Sequence, residues 1–323
     1  MKFRFAFALL LLCAATQAGA QSAQSDYPTQ SIRLIVPSGA GGITDVLARI
    51  LVEKVGPILK QSMFVENKTG ASGIVGSDFV AHSKPDGYTL LMAFPSHVAN
   101  PSTAKSLPYD TARDFAPITK VGSVTEVLLV DKSSPLTSVK GLIEAAKTAQ
   151  QPYTYGTVGT GSLGDLATLI FESKAKLKLL HVPYKSEPEI VTALIRGDLQ
   201  FAFSSPPGAL PMLNAGRVRA LAVSDIARSP IFPDLPTIAE SGLPDYNVTG
   251  WNAIFAPTGT PPAIIAKLNR AINQALADPV LVKQFFAQGV RPVGCTPEVL
   301  QQAVVQDIET IRSTLKAAGI TPQ

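Results

Sequence analysis

The sequence predicts an α/β fold with mostly parallel strands, divided between two domains. Three observations carry this. Apolar strand-like runs alternate with helix-period segments along most of the 323 residues, which is the signature of βαβ units. With the first 20 residues set aside as a leader, what remains is about two domain lengths at ~150 residues each, enough for two separate cores. Glycine-rich turns also join a strand-like run to a helix start at two places, Gly39 to Gly42 and Gly159 to Gly164.

The leader comes first. Lys2 and Arg4 precede an apolar run from Phe5 through Ala15, followed by Ala18-Gly19-Ala20; this is the layout of a secretory signal, cleaved after Ala20. Its apolar run is too short to span a bilayer, and no later segment offers the ~20 uninterrupted apolar residues of a membrane helix. The chain is therefore expected to be exported to the periplasm. Leu12 before Cys13 is not the small residue that lipid attachment prefers, so cleavage is the favoured reading. It leaves Cys295 alone, without an intrachain disulfide. Losing Lys2 and Arg4 lowers the formal charge of +4 by two. The residual excess is diffuse and forms no basic patch with aromatics, which excludes DNA and RNA as partners.

The elements follow in order. "SIRLIV" reads as a strand before the helix "DVLARILVEKVGPIL", and "SDFVAHSKPDG" precedes the strand "YTLLMAF". "EVLLVD" leads to the helix "SVKGLIEAAKTA", and "PYTYGTV" to "DLATLIFESKAKL". "KLLHVPY", "EIVTALIRG" and "LQFAFS" continue the alternation. The tail holds two amphipathic helices, "AIIAKLNRAINQAL" and "TPEVLQQAVVQDIETIRSTL". In the second, Thr296 is the expected N-cap and Pro297 the first helical residue.

The two glycine turns echo each other. Gly39, Gly41 and Asp45 recur as Gly159, Gly161 and Asp165, each time after a strand and at a helix start. There the first backbone N–H groups lack intrahelical partners and the helix dipole is positive, so an anion can approach a backbone free of Cβ atoms. Each turn is a candidate carboxylate or phosphate cradle, and two of them make a clamp across an interdomain cleft. Neither contains Lys or Arg; backbone amides and hydroxyls must hold the anion. Asp45 and Asp165 fit capping of backbone N–H groups better than ligand contact. The predicted ligand-binding residues are Ser38, Gly39, Ala40, Gly41, Gly42, Thr44 and Asp45 from the first turn. The second turn supplies Thr157, Gly159, Thr160, Gly161, Ser162 and Asp165. His97, Ser204 and Ser205 join them because they follow strand ends on the same rim.

Other chemistries are weaker. "GTGSLG" matches the dinucleotide fingerprint, with Glu187 as a ribose-binding acid, but export removes the chain from nicotinamide pools and the motif lies mid-chain. "TGSLG" is a near miss for a nucleophile elbow around Ser162, with His181 the one later histidine. His82, His97 and His181 have no metal spacing, and Cys295 has no motif. No catalytic residue, metal or cofactor is predicted. Trp251 is expected in a core, near a domain crossing.

"YPTQSIRLIVPSGAGGITDVLARIL", "ENKTGASGIVGSDFVAHSKPDGYTLLM", "LLHVPYK", "GRVRALAVSDIARSPIFPDLPTIAESGLPDYNVTGWNAIFAPTGTP" and "LNRAINQALADP" resemble, block by block, the Bug family of TctC-like proteins, the extracytoplasmic solute receptors of tripartite tricarboxylate transporters. The resemblance implies a two-domain, type II-like Venus flytrap with the ligand in the cleft between domains, and binding without catalysis. It also implies work with integral-membrane permease subunits, and a monomer is expected. In the family the two glycine loops grip a ligand carboxylate, and the matching positions here are Ser38 to Asp45 and Thr157 to Asp165. Three departures stand out: Asp165 where the family often has histidine, Ile43 where serine is common, and "FSSPPGAL" where many members carry an acid and an amide. The last weakens the case for a ligand with an ammonium group, so a dicarboxylate or aromatic carboxylate is favoured over an amino acid. Domain 1 is expected to comprise residues 27–122 and 252–323 and domain 2 residues 123–251, with crossings around Val121 to Thr125 and near Trp251.

Overall fold

The computed structural model describes residues 26–159, 161–184, 186–317 and 319. The predicted leader, with Cys13, and Thr160 and Lys185 lie outside them. Among the described residues no helix is long and apolar enough to cross a membrane.

The chain opens with β1 (Ile32–Val36), α1 (Ile43–Leu59), β2 (Met63–Asn67), α2 (Ile74–Ala81), β3 (Thr89–Ala93) and α3 (Ser96–Thr103). Two long strands frame the middle of the chain, β4 (Phe115–Thr125) and β10 (Thr249–Pro257). Between them lie β5 (Val127–Asp131), α4 (Val139–Thr148), β6 (Tyr153–Thr157), α5 (Leu163–Ala175), β7 (Leu179–Pro183), α6 (Glu187–Arg196), β8 (Ala202–Ser204), α7 (Pro206–Asn214) and β9 (Val218–Val223). The tail adds α8 (Pro262–Leu276), α9 (Pro279–Ala287), β11 (Arg291–Pro292) and α10 (Pro297–Ala317).

A six-stranded sheet has the order β11-β4-β10-β3-β1-β2. β1 pairs in parallel with β2 and β3, as the intervening helices require. β10 runs antiparallel to β3 and β4, and β11 antiparallel to β4. Helices cover both faces, so successive strand residues are buried on opposite sides. Leu34, Ile254 and Ala256 pack with Leu47, Leu51 and Val55 of α1 and Leu268 and Ile272 of α8. Their neighbours Ile35, Ala253 and Phe255 pack with Val98 of α3 and Leu300 and Val304 of α10. Trp251, 5% exposed, belongs to this second core, and its indole N–H donates to Asp307 at 2.7 Å.

In the other half β5 lies antiparallel between β8 and β9, and β6 runs parallel to β7. A parallel bridge from Tyr155 to Phe201 connects the two sets. Here too alternation fills both faces: Leu128 and Val130 meet Phe171 and Phe201, while Val127 and Leu129 meet Ile190 and Leu194. Parallel pairing thus joins β1 to β2 and β3 and β6 to β7, and antiparallel pairing joins the neighbours of β4, β5 and β10. α10 starts as its sequence predicts, with Thr296 Oγ1 accepting the Val299 N–H at 3.4 Å.

The end of β4 and the start of β10 lie side by side, with Thr125 opposite Thr249. Ser224, fully buried, ties them together: its hydroxyl accepts from the Glu126 N–H at 2.8 Å and donates to the Val248 carbonyl at 2.6 Å. Its own N–H donates to the Glu126 carbonyl at 2.9 Å.

Candidate functional site: a cleft between two glycine loops

The sequence echo becomes a geometric one. Gly41 and Gly161 have φ of 79° and 78°, a left-handed conformation that glycine adopts without Cβ strain. Each donates its N–H, at 2.9 Å, to Oδ2 of the aspartate four residues later, Asp45 or Asp165. Both aspartates are 2% exposed, so their carboxylates tie each loop to the first turn of α1 or α5. Ser162 caps α5 by accepting the Asp165 N–H at 3.3 Å. The backbone N–H groups of Ile43 and Thr44, and of Leu163 and Gly164, find no acceptor among the described residues. These are the open donors at the positive ends of two helices.

The two clamps differ electrically. Burial pushes the Asp45 carboxyl up, but hydrogen bonds from Arg49, Gly41 and Asn67 outweigh it and hold the group below the usual carboxylate range. Burial pushes Asp165 up, opposed only in part by the Gly161 N–H and His181. The first loop is therefore braced by a charged network and the second by one backbone bond.

Between the loops lies a cleft of about 900 Å³. Ile43, Ile74, Phe94, Val158, Leu163 and Phe203 give it apolar walls, and Asn100, Thr103 and Asn252 add polar groups. Thr44, Thr157, Gly159, Gly161, Ser162 and Ser205, all expected from the sequence, line it. Gly39, Ala40, Gly41 and Gly42 are exposed immediately before Ile43. Ser38 is partly buried, and its hydroxyl has no partner. Asp165 lines a separate cavity with Tyr155 and His181. Ser204 is fully buried and donates to Glu187.

His97 lies elsewhere. The stretch "FPSHVANP" is the start of α3 and not an open rim, and the helix turns the ring into the core. There it packs against Phe115 and Phe255 at 4.9 and 5.3 Å between centroids, 2% exposed, with both ring nitrogens unpartnered. His181 Nε2 instead bonds Thr157 Oγ1 at 2.7 Å, behind the second loop.

Two acidic residues of the cleft were not expected as ligand groups. Glu126 sits between β4 and β5, and Glu187 opens α6. Glu187, read from sequence only as a ribose-binding acid, accepts from both Ser205 N–H and Ser205 Oγ as well as from Ser204. It thereby caps α7, an approach that Gly208 permits, since a Cβ there would fall 2.6 Å from Oε1. The available signal for Glu126 was a charge immediately before the apolar run "VLLV".

A cleft framed by two α/β halves, with open helix N-termini on both sides, defines a solute-binding receptor. The chain belongs to the TctC family: the family model described as Tripartite tricarboxylate transporter family receptor matches residues 47–320. Protein BugT of Bordetella pertussis is 35% identical over 295 residues, spanning 91% of this chain and 90% of BugT. Among solved structures, R. palustris Rpa4515 with adipate is 34% identical, with a TM-score of 0.79 over 92% of this chain and 100% of that one. MatC from Rhodopseudomonas palustris with bound malate is 29% identical, with a TM-score of 0.74 over 90% of this chain and 100% of that one. The family's members are periplasmic receptors, which agrees with the export expected from the sequence.

Proposed function

We propose that this receptor captures a small organic carboxylate in the cleft, without catalysis, and presents it to the permease subunits of a tripartite transporter. The observation that carries this is the duplicated loop: one φ, one aspartate tie and one set of open N–H donors, facing a common cleft from both halves. The predicted loop residues, Ser38 to Asp45 and Thr157 to Asp165, form the clamp. Adipate and malate, bound by the two R. palustris relatives, support the carboxylate. Both are dicarboxylates, which suits the dicarboxylate side of the sequence expectation.

Residues 27–122 with 252–323 form one domain in this proposal and residues 123–251 the other. The crossings at Val121 to Thr125 and near Trp251 are the hinges, buttressed by Ser224. Ligand-linked closure about them is the state the permease reads, and it requires tighter binding to the closed form.

Thermal-shift screening of the purified mature protein against mono-, di- and tricarboxylates and aromatic acids tests the proposal. A bound acid at 100 times its Kd stabilises by about 2.7 kcal/mol. A clear rise in Tm with an acid, absent with its amide, is the expected result; ester cleavage or hydride transfer by the pure protein contradicts it. Gly41→Val supplies a second check. Its Cβ meets nothing within 4 Å, but a β-branched residue is strained at this φ. The variant is expected to stay folded with a Tm lower by a few degrees and to lose about tenfold or more in affinity. Unchanged affinity removes the first loop from the site.

A further inference from the structure

Glu126 and Glu187 are the only ionisable side chains among the described residues lining the cleft, and no cationic side chain joins them there. Hydrogen-bond accounting sets the two acids apart. Glu187 accepts the Ser205 N–H and the hydroxyls of Ser204 and Ser205, so both of its oxygens serve as acceptors. Its charge is spent at the start of α7, where the helix dipole is positive. Glu126 is 6% exposed, and its carboxyl group makes no hydrogen bond with any described residue. Tyr246, near enough to feel its charge, spends its own hydroxyl on the Ala167 carbonyl at 2.7 Å. Ser224 fixes the Glu126 backbone on both sides, so the carboxyl is held at the cleft wall without the donors that an ionised form would need. Burial, reinforced by the charge of Glu187, holds it well above the usual carboxylate range. Geometry and electrostatics agree on a neutral acid.

A neutral carboxyl is itself a donor, with one O–H that no described residue accepts. Other cleft side chains commit their hydrogens within the protein. Asn100 donates to the Ser72 carbonyl, Asn252 to Thr44 and the Ala93 carbonyl, and Thr103 to the Ala99 carbonyl. A ligand carboxylate at the glycine loops is served by backbone N–H groups. A second carboxylate, away from the loops, gains most from the Glu126 O–H, because a bond from a neutral donor to an anion is charge-assisted. An ionised Glu126 would repel the same group.

We infer that Glu126 enters the complex as a neutral carboxylic acid and donates its O–H to the distal carboxylate of a dicarboxylate whose other end lies at the glycine loops. Glu126 is thereby the residue that selects for a second acidic group, in a cleft whose described lining offers no cation to do so. This rests on the carboxylate reading and adds to it a proton held by the receptor.

Calorimetric titration at pH 7 with linear dicarboxylates of four to eight carbons, benzene dicarboxylates and the monocarboxylates of matching length tests the assignment. The expected result is a dicarboxylate that binds about 30-fold tighter than its monocarboxylate counterpart. Glu126→Leu, which removes the donor, should lose about tenfold or more of that preference. Glu126→Gln keeps a donor in the same place without a titratable proton and should restore most of it. Infrared difference spectra between the wild-type and Glu126→Gln complexes should carry the C=O stretch of a protonated carboxyl group. Should Glu126→Leu melt early, the Gln variant and the spectra decide. A carboxylate stretch in place of the protonated one, full preference in a folded Glu126→Leu, or a dicarboxylate bound more than about tenfold tighter by Glu126→Gln than by wild type overturns the assignment. Monocarboxylates that bind as tightly as dicarboxylates, and lose affinity in Gly41→Val, overturn it and leave the carboxylate clamp standing. If none of these acids binds, the carboxylate reading fails and the assignment with it.

Discussion

The unfolding free energy should fall by about 3 kcal/mol between pH 7 and pH 4 through His97 alone, and His97→Leu should abolish that part of the loss. The ring is fully enclosed by Phe115, Phe255 and Tyr109, with no partner for either nitrogen, and burial lowers its pKa from 6.5 to about 3. Below pH 6.5 the unfolded chain takes up a proton that the folded protein refuses. Stability from this group is therefore complete above the unfolded pKa and disappears as pH falls towards the folded one, by about 1.4 kcal/mol per unit. The buried carboxyls Glu126, Asp165 and Asp307 have raised pKa values; their contributions have the opposite sign and decline as pH rises. The difference between wild type and variant isolates the histidine. Urea titrations of both proteins at pH 7, 5.5 and 4 measure it, and parallel curves would show that the ring finds a proton acceptor or water in the folded state. At pH 7 the variant should be comparable in stability or slightly more stable. Removing two unpartnered polar atoms offsets the loss of aromatic contact, each worth about 1 kcal/mol.

The second large effect concerns closure. Gly161→Ala should weaken ligand binding by about 30-fold, or about 2 kcal/mol, with little change in the unliganded fold. Two causes combine. Alanine at φ 78° is strained, and its Cβ would lie 2.8 Å from Cγ2 of Thr103 and 3.8 Å from Ala99 Cβ, both on α3 across the cleft. The added methyl is thus a wedge between the halves. Thr103→Ala in the same chain should restore the steric part but not the backbone part, giving a favourable coupling of 0.5 to 1 kcal/mol on the order expected for contacting residues. Additive losses in the double variant would show that the strain acts within the loop alone and that α3 does not limit closure. Gly41, with open space around its absent Cβ, lacks the steric cause, so Gly41→Ala should be the milder change.

Much of this was legible in the sequence because two-sided burial writes itself into strands as unbroken apolar runs. β1, β3 and β5 were visible for that reason, as were α1 and α5 from their apolar spacing. The glycine loops were visible because their conformation demands particular residues at particular positions, and it does so twice. α3 was hidden: Pro101 interrupts it, and without its helical phase the direction of His97 could not be read. The antiparallel β4 and β10 pairing joins segments far apart in sequence and leaves no local mark. Glu126 belongs to no motif. Its place in the cleft is set by contacts distant in sequence, among them the bonds of Ser224 to its backbone, and Glu187 is drawn to the same cleft by the cap of α7.

Both loops must act on one ligand for the account to hold. Calorimetric titration of wild type, Gly41→Val and Gly161→Ala with the tightest-binding acid from the thermal-shift screen tests this most directly. The account predicts one site per chain and affinity lost in both variants, with circular dichroism unchanged. Full affinity in either variant, or equal binding of the acid and its carboxamide, would contradict it.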